Sequence, residues 1–433
     1  MKPRFQSLVA ALLLVAPPVW VDASDFAIRK YGAREGGEVK NTRSIQRAID
    51  DCSRQGGGRV IVPRGTFLTG PLRLFSHVEL HLEKDAVLLA SPDIKDYPDW
   101  DNLRHVADPK ALPRQRSASF LFADEATELS FTGAGVIDCN GERFVRRKDD
   151  ADWTGWQYER RHPMSNSLPR VVFLTGCSNV VMRGITIRNP PAGWSAWFHD
   201  CDNVFVEDVR IAANVRYPNN DGLHVNSCRN VLIRNCDIET GDDSIVVRAN
   251  NRSLAENRVC ENVVVSNCTL RSWASGIRIA WANDGTIRNC LFKDIRMRDT
   301  NVGVAMVLPL VGGWNAYDYG REATRLENLT FEDIVMEDIY ARPILSWIAP
   351  ASAGTRCDGF HNVVFRNVRS RGLERPLFKG RLDCPISGVT FDNCRFDTVG
   401  DDVLPDYRHH GAACWDRRPG ETNIYFISTQ KIK

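Results

Sequence analysis

From Asn179 onward the chain returns repeatedly to one nine-residue pattern: Asn, aliphatic, any, aliphatic, any, small polar, aliphatic, any, aliphatic. It runs Asn179 to Ile187, Asn203 to Ile211, Asn230 to Ile238 and Asn262 to Leu270, with further copies from Asn289, Asn328 and Asn362 and a variant at Gly388. Successive copies begin 24, 27, 32, 27, 39, 34 and 26 residues apart. Alternating apolar positions describe short strands with one face turned inward. Recurrence at this interval, with the extra length in polar loops, marks a solenoid. The small polar residue at the centre permits a bend between two strands, and Asn suits a bend because it tolerates left-handed φ. A sandwich or barrel would need hairpin turns of two to five residues, which are not the rule here. The pattern therefore predicts an all-β fold, a single parallel β-helix. Its right-handed sense follows from the general handedness of parallel crossovers.

The front of the chain breaks this rhythm. Ser44 to Arg54 carries Ile45, Ala48, Ile49 and Cys52 at helical spacing, with Asn41 and Thr42 as capping candidates and Gly56-Gly57-Gly58 as a stop. This predicts an N-terminal helix that caps the open end of the solenoid and protects its edge. Strands are expected at Arg59–Val62, Val78–Leu82 and Leu129–Phe131. Residues 1–23 read as a secretory signal peptide: Lys2 and Arg4, an apolar run from Leu8 to Ala16, and small residues around Ala23. Pro17, Pro18 and Asp22 stop the run too early for a membrane span. The expectation is one continuous domain over 24–433 in a secreted or periplasmic protein with no membrane partner.

Charge and composition narrow the partners. With 56 Lys plus Arg against 54 Asp plus Glu, the net charge of +2 gives no basis for nucleic-acid binding. At 43% hydrophobic and 25% charged residues, disorder and fibrous folds are excluded. Thirteen cysteines in an exported chain would suggest disulfides, but they fall into columns. Cys177, Cys201, Cys228 and Cys260 precede the repeat Asn by two residues, and Cys236, Cys268 and Cys394 fill its seventh position. Stacked in this way they read as small core hydrophobes, not metal ligands. Pairing among Cys357, Cys384 and Cys414 stays open.

A second column of short strands carries candidate chemistry. It reads Asp221-Gly-Leu-His-Val225, Asp243-Ser-Ile-Val-Val247, Ser275-Gly-Ile-Arg-Ile279, Val302-Gly-Val-Ala-Met306, Arg342-Pro-Ile-Leu-Ser346 and Arg375-Pro-Leu-Phe-Lys379. Aligning the aliphatics puts Asp221 and Asp243 at the same phase of neighbouring coils, with Asp242 beside them. Asp is common in turns, so one alone means nothing. Three stacked carboxylates destabilise the fold unless a substrate or cation uses them, and such crowding raises at least one pKa.

At this point the chain resembles a known family. Asn219-Asn220-Asp221-Gly222, followed one coil later by Thr240-Gly241-Asp242-Asp243, is similar to the catalytic core of the family 28 glycoside hydrolases, the polygalacturonase and rhamnogalacturonan hydrolase group. The likeness extends through Asn41 to Cys52, Val62 to Leu72 and Gly135 to Asp138. It implies an inverting hydrolase with Asp242 as general acid and Asp221 and Asp243 holding the attacking water, needing neither metal nor other cofactor. The chain departs from the polygalacturonase pattern in two places. Ala274-Ser275-Gly276 stands for Gly-His-Gly, and Ala305-Met306-Val307 stands for Arg-Ile-Lys. Rhamnogalacturonan hydrolases also lack that His, which turns the expectation toward a different linkage in an acidic, pectin-type polysaccharide or oligosaccharide.

Strand phase points Arg278 outward, two coils from His224 and one from Ala305, where it could grip a sugar carboxylate. Arg248, His224 and Asn219 are further substrate-binding candidates. Trp273 and Trp281, like Trp194, Trp197 and Trp314, are read as lying between strands near the acids, where rings could stack on sugars. A polysaccharide lyase or epimerase on the same solenoid remains as the alternative, with an Arg as base and the Asp cluster holding Ca²⁺. A non-catalytic carbohydrate binder is a third reading. The enzyme is expected to act as a monomer on its glycan.

Overall fold

The computed structural model describes residues 24–145, 167–168, 170–281, 284–308, 323–348, 357–380, 385–399, 425–427 and 429–430. Residues 1–23 (the expected signal peptide), Trp314, Cys384 and Cys414 lie outside the described residues, as does the side chain of Cys357.

Among the described residues twenty-eight strands join in one continuous network whose ladders are parallel, so each strand pairs with its counterpart one coil away. This is the parallel β-helix the repeat predicts. Inward positions of the repeat, such as Val180, Met182, Ile185 and Ile187, are fully buried and form one core along the axis. The helix Thr42–Arg54 buries Ile45, Ala48, Ile49 and Cys52 against the first coil. Asn41 occupies its N-cap position but does not cap it. Its side chain instead accepts from the Arg34 N–H and donates to the Arg34 and Val39 carbonyls, and so holds the preceding loop.

Every repeat Asn from Asn179 to Asn362 has φ between 54° and 59°, the left-handed bend expected of it. The side-chain amides also stack: Nδ2 of Asn203 donates to Oδ1 of Asn179 at 2.9 Å, and Asn230, Asn262, Asn289, Asn328 and Asn362 continue head to tail. Asn230→Ala removes two such bonds and leaves a Cβ residue at φ 57°. It is expected to destabilise by about 2–3 kcal/mol, and Asn230→Gly by about 1 kcal/mol less because Gly adopts that φ freely. Chemical denaturation of the pair checks this, and equal losses would show that the φ carries none of it.

The cysteine columns lie in the core. All ten described cysteines are free thiols, nine of them buried, and burial pushes Cys290 up to about 12. The last register of the second column differs from the alignment above. Leu345, not Ile344, pairs with Leu377, so Phe378 points into the core and Leu377 outward. The bulkier ring fills the narrowing end, and a one-residue slip exchanges the faces.

Candidate active site

One outward row crosses the coils in unbroken register: Phe122, Phe173, Trp197, His224, Val246, Arg278, Ala305, Leu345. The acids stand at the entry to its strands, Asp221 before Leu223–Asn226 and Asp243 before Ile245–Arg248. Close chain approach sets them there. A Cβ on Gly222 would meet the Ser244 carbonyl at 2.2 Å, and one on Gly241 the Tyr217 carbonyl at 2.2 Å. Asn220, fully buried, ties the two coils together by accepting from the Gly241 N–H at 2.7 Å and donating to the Asn214 carbonyl.

One oxygen from each of Asp221, Asp242 and Asp243 lies within 4.8 Å of the others, the expected convergence. Asp242 is held by main-chain donors, the Asn219 N–H at 3.1 Å and its neighbour's N–H at 3.0 Å. Asn219 thus acts here through its backbone, bent at φ 56°. Burial, then the charge of Asp242, holds the Asp221 carboxyl well above the usual range. Burial also raises Asp243, to about 6, against the opposing pull of Arg278. Oδ1 of Asp221 and Oδ1 of Asp243 are buried and have no hydrogen-bond partner among the described residues.

Arg278 is buried, 3.4 Å from Asp243 through Nε, with its guanidinium 4.0 Å from the centre of the half-buried Trp281 ring. Nε and Nη1 make no hydrogen bond among the described residues. The Ser275 hydroxyl, where the family pattern has His, stands beside Asp243. His224 donates to or accepts from Asp221 at 2.9 Å and stacks on Trp194 at 3.9 Å, and burial drives its pKa down to about 3. The neutral ring is therefore a positioning group for Asp221. Arg248 is in the next outward row, clamped on the buried Asp284 by contacts of 2.8 and 2.9 Å. Trp273 is buried between strands, but Trp194 and Trp197 lie within the strand Trp194–His199 instead of between strands.

Sequence reading missed a segment. Residues 91–120 leave the coil and fold back across the row. Arg114, within that segment, is solvent-exposed yet close enough to Asp221 and Asp242 for its charge to act on both, and its Nη1 donates to the Ala192 carbonyl at 2.9 Å. Arg170, almost fully buried, donates to the Arg116 and Pro113 carbonyls and lies 4.5 Å from the Trp197 ring centre. No repeat marks this segment. Its one sequence signal is length, since the other early strands follow each other closely.

Residues 52–260 match the model of the glycosyl hydrolases family 28. The chain is 30% identical over 223 residues to a probable polygalacturonase from Vitis vinifera, covering 51% of this chain and 43% of the relative. It is 27% identical over 351 residues to an exo-poly-alpha-D-galacturonosidase from Dickeya chrysanthemi, covering 72% of this chain and 57% of the relative. The chain thus spans about half the length of these two curated relatives. The polygalacturonase structure from Erwinia carotovora superposes with a TM-score of 0.69 at 20% identity over 97% of this chain and 98% of that one, a likeness of fold. Residues 52–260 thus match the glycosyl hydrolases family 28, and the chain as a whole resembles polygalacturonases in sequence and shares their right-handed parallel β-helix.

Proposed function

We propose that the chain is an exported, monomeric hydrolase that cleaves O-glycosyl bonds in a pectin-type acidic glycan, with inversion and without metal or other cofactor. The observation that carries this is the acid triad, in which Oδ1 of Asp221 and Oδ1 of Asp243 have no hydrogen-bond partner among the described residues and Arg278 Nε lies 3.4 Å from Asp243. In the proposed step Asp242 gives its proton to the leaving glycosidic oxygen as that bond to the anomeric carbon breaks. Water held by Oδ1 of Asp221 and Asp243 attacks the same carbon and loses its proton to one of them. Arg278 supplies the cation for a sugar carboxylate that this chain lacks at Ala305, one coil on. The names of the Vitis and Dickeya relatives support a galacturonate backbone as substrate.

The acid spacing does not by itself choose the stereochemistry. Adding a C–O bond of about 1.23 Å at each end of a 4.8 Å contact gives carboxyl centres up to about 7 Å apart, which spans the retaining and inverting ranges. Inversion therefore rests on the family motif. NMR of the first-formed anomer from polygalacturonate is expected to show the inverted product, and retention would overturn the shared-water mechanism. The same oxygens could also hold a cation. An unsaturated uronate product with Ca²⁺-restored activity after EDTA would establish the lyase alternative.

A further inference from the structure

The segment 91–120 is fastened along its whole course. Asp99 Oδ1 accepts from the Ser117 and Ala118 N–H groups, and Trp100 donates through Nε1 to Ser119 Oγ at 2.8 Å. Asp124 accepts from the Arg104 and His105 N–H groups. The His105 ring meets Asp200 at 2.8 Å, a contact that raises its pKa. Farther on, the Ala107 and Asp108 N–H groups both donate to the Ser253 carbonyl, beyond the strand that follows Asp243. The segment is thus a fixed strap that spans the outward row from its first coils to the coil of Asp243.

Its underside fills the row. Val106 and Leu112 are packed with Phe122, Phe173 and Trp197, and Trp100, Leu103 and Trp194 complete the cluster. Trp100 stacks on Phe122 at 4.8 Å. Phe122 and Phe173 are fully covered and Trp197 is 3% exposed. Where the strap ends against His224, the space lined by Ala111, Pro113, Trp194, His199 and Arg248 leaves room for little more than a water molecule. A glycan following the row from the N-terminal coils would have to occupy the volume of these side chains.

We infer that this chain attacks its glycan from a chain end, because the strap closes the row on the N-terminal side of the acids. This rests on the hydrolase reading above and specifies its mode of action. Among the described residues the strap leaves the triad open toward Arg278 and Trp281, and the polymer's terminal residue stops at the wall of Arg114, Trp194 and His224. Arg114 there presents a cation beside Asp221 and Asp242, suited to a terminal uronate carboxylate.

The test is the product pattern of the full chain on long polygalacturonate. Mono- or disaccharide released from the first time points, with viscosity nearly unchanged, is the expected result. An early ladder of intermediate lengths with collapsing viscosity overturns the inference and leaves the hydrolase reading standing. Failure to hydrolyse any pectic glycan overturns the hydrolase reading and this inference with it. A double variant, Val106→Asn with Leu112→Asn, loosens the underside of the strap. If it remains folded by circular dichroism, it should release longer products than the wild type, and an unchanged pattern would show that the strap does not set the mode of attack. If it does not fold, the wild-type pattern still decides.

Discussion

Asp242→Asn is expected to lower kcat by about 10²–10⁴-fold, the usual contribution of general-acid assistance, while substrate binding and fold persist. The carboxyl accepts two main-chain N–H bonds. An amide can accept only one of them, so a stability loss of about 1 kcal/mol accompanies the change. That is too little to unfold a core running the length of the solenoid. Steady-state kinetics beside thermal unfolding separate the two effects. Turnover near the wild-type rate would remove Asp242 from the chemistry and move the proton to one of its neighbours.

Asp221→Asn should separate activity from stability with opposite signs. Burial and the neighbouring Asp242 raise the Asp221 carboxyl well above its ordinary value, and Asp243 to about 6. A carboxyl with a raised folded pKa adds no penalty below its unfolded value, near 3.8, and weakens the fold as pH climbs toward the folded value. Removing the titration at 221 should therefore raise Tm at pH 7, by roughly 2 °C or more, with little change at pH 4. The amide can keep a bond to His224 Nε2, now 2.9 Å from Asp221. Activity should fall at least about 100-fold, since the water loses one of its two carboxylates. A lower Tm at pH 7 would mean that the acid cluster stabilises the fold and is structural.

Much of this site was legible from periodicity. The phase of Asp221-Gly-Leu-His and Asp243-Ser-Ile-Val placed the acids together, because parallel stacking turns equal phase in sequence into adjacency in space. The same logic placed Arg278 two coils from His224. It could not show that Arg278 is sheathed by Trp281 and pulled to Asp243, since side-chain contacts between a strand and the loop after it have no period. Arg248, at the end of its strand, reads in sequence as a further substrate-binding candidate. The buried carboxylate that captures it, Asp284, comes from a loop 36 residues later. The strap was invisible for the same reason. Its apolar residues match the aromatic row beneath it and not any repeat of its own, so only the folded coil brings Trp100 to Phe122 or Arg114 to Asp242.

The asparagine stack has a direction. Each rung's Nδ2 points toward the earlier coil and each Oδ1 toward the later one, so the amide dipoles add instead of cancelling. This sheet fold, whose strands run around the axis, thus carries a lengthwise polarisation of the kind an α-helix has, positive toward Asn179 and negative toward Asn362. Hydrogen bonds in such a chain strengthen one another, so a rung lost from the middle weakens neighbours on both sides, whereas a rung lost from an end weakens one. The stack is thereby a vectorial spine that distinguishes the two ends of the solenoid.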